Sequence, residues 1–298
     1  MTGLPDGYGL ETVTLQAADG ARAVVALHGA HVVSWVPAGG QEMLYLSARS
    51  AWGPGQAIRG GVPVIFPQFS NRGPLVRHGF ARVLPWQLVH NGTSGTDASA
   101  VLQLTDSAQT RSYWPHAFTL QLSVRLAGDT LALALSCRNT GATSIDVSAA
   151  LHTYLLTDDV AQSILTGLAA HRYWDALDGV HKTQSAEAIR FDGELDRVYA
   201  GVPGELLLQG PRGGVEQSVR IAQSGFEDVV VWNPGAIKCA ALADMPPDGW
   251  RRMVCVESAQ IERPVHLAPG QCWVGEQRLT APPAPRTRGP VYRGSSPG

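Results

Sequence analysis

Five stretches of this 298-residue chain set charged or titratable side chains into runs that are otherwise apolar and rich in glycine. AIRGGVPVIFPQF carries Arg59, and LVRHGFARVLPW carries Arg77, His78 and Arg82. AALHTYLL carries His152, RMVCVESAQI carries Glu257, and GELDRVY carries Asp196. An imidazole and a carboxylate are side chains suited to moving protons near neutral pH. Guanidinium groups bind anions through forked, charge-assisted hydrogen bonds. Each residue also has a plain structural reading. A lone histidine in a strand is usually a satisfied structural residue, and Glu257 could pair with an arginine across a sheet. Arg59 could be an ordinary turn charge, and Asp196 could form a surface pair with the adjacent Arg197. A carboxylate inside a run as apolar as VCVES is nevertheless expensive to bury unless it is paired or functional. Singly, none of these residues makes a site.

Whether they can meet depends on the elements that carry them. Short runs with period-two alternation, the mark of half-buried strands, recur along the chain. They are ETVTLQA, RAVVALHG, HVVSWVP, ASAVLQLT, FTLQLSVRLAG, TLALALSCRN, SIDVSAALHTYLL, SVRIAQS, DVVVWNP, RMVCVESA and QCWVGEQRL. The 33 glycines and 20 prolines supply the turns between them, and AGDT fits a tight turn joining LQLSVRL to LALALSC. Helical spacing is scarce; its best candidate is a short helix around Glu42 to Trp52. This pattern predicts an antiparallel all-β fold, sandwich or barrel, and the chain is long for a seven-stranded domain. A large antiparallel β-sandwich over 1–280 is therefore expected. The last stretch, APPAPRTRGPVYRGSSPG at 281–298, has too little apolar content to offset ordering entropy and is expected to be a flexible tail. Strand phase then sorts the candidates. An extended RHGFAR would put His78, Phe80 and Arg82 on one face, with Arg77 reaching it only from a preceding loop. His152 shares a face with Ala150 and Tyr154, and Glu257 shares one with Cys255, opposite Val254 and Val256.

Composition narrows the function classes. At 16% charged residues and a formal net charge of −2, the chain lacks the basic footprint of a nucleic-acid binder. No apolar run approaches the length that crosses a bilayer, so no membrane partner is expected. The start, MTGLPDGYGLETV, lacks the basic and apolar segments of a signal peptide, which points to the cytoplasm. Cys137, Cys239, Cys255 and Cys272 form no CxxC pair and no metal spacing, and are expected as buried thiols in a reducing compartment. GxxxxGK[ST], GxGxxG and HExxH are all absent. His28 and His31 in LHGAH lack further ligands nearby and read as core or turn histidines, not metal ligands.

Taken together, HGAHVVSWVP, AIRGGVPVIFPQF, RHGFAR, LHTYL, DRVY, VVVWNP and VCVESAQI, in that order from about Gly29 to Leu279, resemble the aldose 1-epimerase superfamily. Within it they are most similar to the glucose-6-phosphate 1-epimerase group. The combination of IRGGVPVIFP, HGFAR and LHTYL is far more specific than any one piece. The resemblance implies a galactose-mutarotase-like β-sandwich with an open cleft on one sheet. It also implies that His152 and Glu257 are catalytic, that Arg59 and Arg82 bind the substrate and its phosphate, and that Asp196 holds sugar hydroxyls. His78 is implied as a sugar contact. Arg77 departs from the family, where glutamine or another polar residue is common before HGF.

Opening a hemiacetal ring requires a base at the anomeric hydroxyl and an acid at the ring oxygen. Glu257 is expected as the base and His152 as the acid, each contributing about a hundredfold to ten-thousandfold. No metal or redox cofactor is needed. A cluster of Arg59, Arg82 and possible help from Arg77 suits a 6-phosphate and is of no use to an enzyme of plain galactose. The expected partner is thus a small sugar phosphate. Oligomeric state stays open, with a monomer as the default. Three other readings remain at this point: an epimerase of unphosphorylated sugar, a carbohydrate-binding module without catalysis, and a glycosidase. The last would need two opposed carboxylates, where the motifs place only Glu257.

Overall fold

The computed structural model describes residues 9–281. Its main body is two antiparallel sheets packed face to face, one of nine strands and one of eight, flanked by a three-stranded sheet. The nine-stranded sheet runs in the order Ala188–Arg190, Ile164–Thr166, Leu206–Arg212, Val215–Ser224, Cys272–Thr280, Thr130–Asn139, Phe118–Ala127, Asp97–Thr105 and Gln87–Ser94. Its central strands show the alternation read from sequence. In Phe118–Ala127 and Thr130–Asn139 nearly every second residue is buried, and Gly128 turns the hairpin between them with φ of 59°, as AGDT suggests. The inward residues, such as Leu120, Leu122, Leu133 and Leu135, join Trp35, Phe66 and Phe118 in the principal core. The expected all-β sandwich is the observed fold.

The eight-stranded sheet positions the site. Its order is Val180–Thr183, Arg172–Asp175, Leu195–Tyr199, Asp228–Asn233, Met253–Leu267, Ile145–Leu151 and Val64–Ile65, with Tyr154–Leu156 also paired to Met253–Leu267. One face meets the main core through Val254, Val256, Leu151, Val229 and Val231. The other carries two small apolar clusters. Tyr154, Trp232, Met253 and Cys255 pack with Cys239 and Met245 in one. Ile65, Phe69, Ala150, Val198, Val230 and Ala259 form the other. Glu257 stands between these clusters. Every residue of Asp228–Asn233 is buried, because loops cover the face that a simple two-layer sandwich would leave wet; this explains why Val229, Val230, Val231 and Trp232 are all apolar.

Three expectations need correction. The segment from Glu42 to Trp52 is not a helix. It is an extended strap whose Leu44 and Leu46 bridge to Leu155 and Gly60, while the Glu42 carboxylate accepts from the Trp35 and Leu44 N–H groups. Apolar residues at consecutive positions Met43, Leu44 and Tyr45 are all buried, since the strap is sandwiched on both sides. RHGFAR is not a strand either: His78 and Gly79 both have φ of 67°, and Ala81–Val83 forms one turn of 3-10 helix. Cys137, Cys239 and Cys255 are buried, but Cys272 is exposed, at an outward position of its strand. His28 and His31 are buried and bonded to the Gln56 and Gly60 carbonyls at 2.7 Å each, as core histidines. The tail from 282 onward lies outside the described residues. Among the described residues no helix is long and apolar enough to cross a membrane.

Candidate active site

The strand Ile145–Leu151 pairs with Met253–Leu267, with Leu151 opposite Ser258. After a two-residue interruption at His152 and Thr153, pairing resumes with Tyr154 opposite Cys255. The register is unchanged across the break, which sets His152 opposite Glu257 on the covered face. Their side chains meet: His152 Nε2 lies 3.3 Å from Glu257 Oε1. The break itself is pinned, because the His152 N–H donates to the Pro63 carbonyl and the Val256 N–H to the Thr153 carbonyl, at 3.0 and 3.1 Å. Below it, the Thr153 hydroxyl donates to the buried Gln277 side chain at 2.5 Å.

Neighbouring strands extend the row. Val230 is opposite Glu257, and Asp196 is opposite Trp232. Asp196 and Arg197 therefore point to opposite faces, which rules out a surface pair between them. Arg197 instead donates to the Gln184 side chain and lies over the Tyr173 ring. Loops bring the remaining groups. Arg59 is held from behind by Asp244, with Nε and Nη2 at 3.1 and 3.0 Å from its carboxylate, and donates from Nη1 to the Tyr154 hydroxyl at 2.9 Å. The Tyr154 ring in turn stacks on His152, with centroids 4.8 Å apart and planes at 15°. Arg82 donates to the Arg77 carbonyl at 3.0 Å, and its Nε is buried without a protein partner. His78 Nδ1 accepts from the Ser70 N–H at 3.3 Å, and its ring stands edge-on to His152 at 5.6 Å.

These side chains converge on one cavity of about 180 Å³. Its lining includes all seven residues singled out from sequence: Arg59, Arg77, His78, Arg82, His152, Asp196 and Glu257. Two of them arrive by a route that sequence phase did not anticipate. His78 and Arg82 reach the cavity from a left-handed turn and a 3-10 turn, not from one face of a strand. Gly60 and Gly61, next to Arg59, serve close packing of the backbone. A Cβ at either would come within 2.3 Å of the Tyr45 or Val32 carbonyl oxygen. Phe69, Trp232 and Lys238 also line the cavity, and Asp244 supports it. Trp232 was within reach of sequence reasoning, as an aromatic closing the run DVVVW. Lys238, on the short helix Gly235–Ala241 and paired to Glu194 at 2.6 Å, and Asp244, far along the chain from Arg59, left no sequence signal. A larger groove of about 730 Å³ lies elsewhere, lined mainly by Leu, Val, Pro, Trp86 and Tyr113. It lacks a comparable convergence of charge, which makes the smaller cavity the candidate site.

Burial dominates the electrostatics. Glu257 and His152 are 1% and 8% exposed. Loss of solvent, then the nearby Asp196 charge, pushes the Glu257 carboxyl well above the usual carboxylate range. Loss of solvent, then the charges of Arg59 and Arg82, holds the His152 imidazole well below its ordinary value. His78 is lowered in the same way, by burial and then by His152 and the arginines. Burial first, with the positive charges of Arg59 and Arg77 adding to it and Asp244 opposing, brings the Arg82 guanidinium down to about 10, so it stays charged at neutral pH. His152 Nδ1 and Glu257 Oε2 are both buried without a protein hydrogen bond. Unpaired buried polar atoms are costly and uncommon, and here they border one cavity. The site thus combines a closely approaching imidazole and carboxyl, several guanidinium groups and a second acidic side chain on the same sheet. Among the described residues no group of three or more His, Cys, Asp or Glu side chains is arranged to hold a metal ion.

Known proteins share this chain's sequence pattern and fold. The sequence profile of the aldose 1-epimerase family matches residues 11–280. A Cenchrus ciliaris protein named "Putative glucose-6-phosphate 1-epimerase" is 34% identical over 286 residues, covering 93% of this chain and 86% of that protein. An Escherichia coli (strain K12) protein of the same name is 34% identical over 258 residues, covering 83% and 85%. Among solved structures, a "putative mutarotase" from Salmonella typhimurium superposes with a TM-score of 0.84 at 29% identity, covering 91% of this chain and 90% of that one. A Lactobacillus acidophilus "galactose mutarotase related enzyme" shares the fold with a TM-score of 0.71 at 16% identity, covering 91% and 97%. The chain belongs to the aldose 1-epimerase family.

Proposed function

We propose that this epimerase interconverts the α and β anomers of an aldohexose 6-phosphate, with glucose 6-phosphate as the substrate, and that Glu257 and His152 are its catalytic base and acid. Glu257 takes the proton from the anomeric hydroxyl as the C1–O5 bond breaks, and His152 delivers a proton to the ring oxygen. Rotation about C1–C2 turns the aldehyde, and reclosure on the other face returns both protons. The carrying observation is the direct approach of His152 Nε2 to Glu257 Oε1, at 3.3 Å, on the wall of a cavity also lined by three arginines.

The substrate class follows from charge. Arg59 and Arg82 have guanidinium groups at the cavity, and Arg77 contributes a third, exposed one. A phosphate with nearly two negative charges matches such forks, whereas a neutral sugar does not need them. Asp196, the cross-strand partner of Trp232 in the cavity lining, is suited to accept from sugar hydroxyls. The names of the curated relatives point to the same substrate. The test is anomer exchange measured by saturation-transfer NMR on glucose 6-phosphate and on glucose. A higher kcat/KM on the phosphorylated sugar is expected. A preference for glucose would reject the phosphate assignment, and acceleration of neither sugar would reject the enzyme reading.

A further inference from the structure

The guanidinium groups that suit them to a phosphate also create a difficulty for the acid. Arg59 bonds to the Tyr154 hydroxyl at 2.9 Å, and the Tyr154 ring lies flat against His152 at 4.8 Å. Arg82 and Arg77 line the same cavity. All three positive charges disfavour a proton on the imidazole, after burial itself; Arg77 and Arg82 also favour the Glu257 carboxylate, so Arg59, bonded to the tyrosine that stacks on His152, is the charge that weighs mainly on the imidazole. His78, edge-on to His152, opposes a second positive charge as well. The negative groups nearby are Glu257 itself, Asp196 two strands away and Asp244 behind Arg59. Lys238 is tied to Glu194 and Cys255 is a buried thiol. Burial of both groups and the guanidinium charge beside His152 thus favour a neutral pair, with the proton on the carboxyl and not on the imidazole. Ring opening needs the reverse, a carboxylate at the hydroxyl and an imidazolium at the ring oxygen. The proton count is the same; only its position differs, across a gap of 3.3 Å.

We propose that the substrate's phosphate, seated on Arg59 and Arg82, activates the site as well as anchoring the sugar, by cancelling guanidinium charge beside His152 so that the shared proton moves from Glu257 to the imidazole. One proton crosses from Oε1 to Nε2, and none enters or leaves the protein. The inference rests on the reading of the site given above and goes beyond it. It makes the phosphate a switch on proton position. Selectivity for phosphorylated sugars then resides in turnover as well as in binding, because energy from a remote group is spent at the reacting centre.

Separating the phosphate from the sugar tests this. Glucose anomer exchange is measured with the full-length protein while inorganic phosphite is added as a detached dianion. Phosphite is expected to raise the enzyme-dependent rate about tenfold or more, since each unit of change in imidazole basicity alters its protonated fraction about tenfold. Nitrogen-15 NMR should show the His152 signal moving toward imidazolium as phosphite is added. In Arg59→Gln the imidazolium signature should be present before any phosphite, glucose turnover should rise, and phosphite should add little. Arg59→Met should show the same trend and serves if the first variant is unstable. A purely anchoring phosphate moves neither the spectrum nor glucose turnover. Phosphite that competes with glucose 6-phosphate yet leaves the glucose rate flat overturns the proposal. So does phosphite that fails to compete, since no detachable anion seat then exists. If wild-type protein accelerates glucose 6-phosphate exchange in either case, the underlying enzyme reading survives.

Discussion

Glu257 and His152 face each other because two strands keep one register across a short break, and burial then drives both away from their charged forms. The removal of either functional group should leave the sheet intact. Glu257→Gln and His152→Ala are each expected to cut turnover on glucose 6-phosphate by about a hundredfold to ten-thousandfold. Near-normal exchange in either variant, by the same NMR assay, would remove the proposed acid–base roles. Stability should respond differently. A carboxyl whose folded value is raised contributes stability that is complete below its unfolded value of 4.5 and is lost as pH climbs toward the raised value. Glutamine mimics the neutral carboxyl at every pH. Urea unfolding should therefore show Glu257→Gln gaining on the wild type as pH rises above 4.5. A difference that stays constant, or shrinks, would mean the carboxylate is better solvated or better paired than its surroundings indicate. His152 runs the other way: its lowered value contributes stability above 6.5 that is lost as pH falls.

At the level of elements, what was readable from sequence depended on how local the cause was. Long alternating strands such as Phe118–Ala127 and Thr130–Asn139 declare themselves, because neighbours two apart share a core face. Gln87–Ser94 does not, being an almost wholly exposed edge strand, and Arg172–Asp175 and Val180–Thr183 are four-residue strands of one hairpin, too short for a pattern and joined to the sheet through Leu195–Tyr199. The turn carrying His78 and Arg82 is the instructive failure. Its sequence alternates well enough for a strand, yet Phe80 and Ala81 N–H both donate to the Phe66 carbonyl, and that contact requires Gly79 in the left-handed region. A Cβ at Gly79 would sit 2.1 Å from the same carbonyl oxygen. Gly79→Ala is thus expected to cost about 1–3 kcal/mol in unfolding free energy. It should also raise KM for glucose 6-phosphate more than it lowers kcat, because the displaced loop carries Arg82 while the His152–Glu257 pair sits on strands. Unchanged stability and KM would show that the loop accommodates the methyl group elsewhere.

Over the whole molecule, function is set by a local departure from a nearly neutral average. The formal net charge is −2, so the overall field does not draw in a dianion, and composition alone offers no hint of phosphate chemistry. Only the motifs, read jointly, placed the arginines with the histidine and glutamate. Their support by Asp244 and the rim position of Lys238 depend on folding that brings remote segments together, which no local pattern records. A local cluster also has a particular salt response. Charges a Debye length apart, about 10 Å at 0.1 M salt, are largely screened, while partly buried contacts are screened less. Added potassium chloride should raise KM for glucose 6-phosphate severalfold through screening of the exposed Arg77 and the cavity mouth, and leave kcat nearly constant once the phosphate is seated. The KM for glucose should stay flat over the same range, because a neutral sugar gains nothing from the guanidinium groups. Equal salt sensitivity for both sugars would trace the effect to the protein as a whole, and would count against Arg59, Arg77 and Arg82 as the seat of the phosphate.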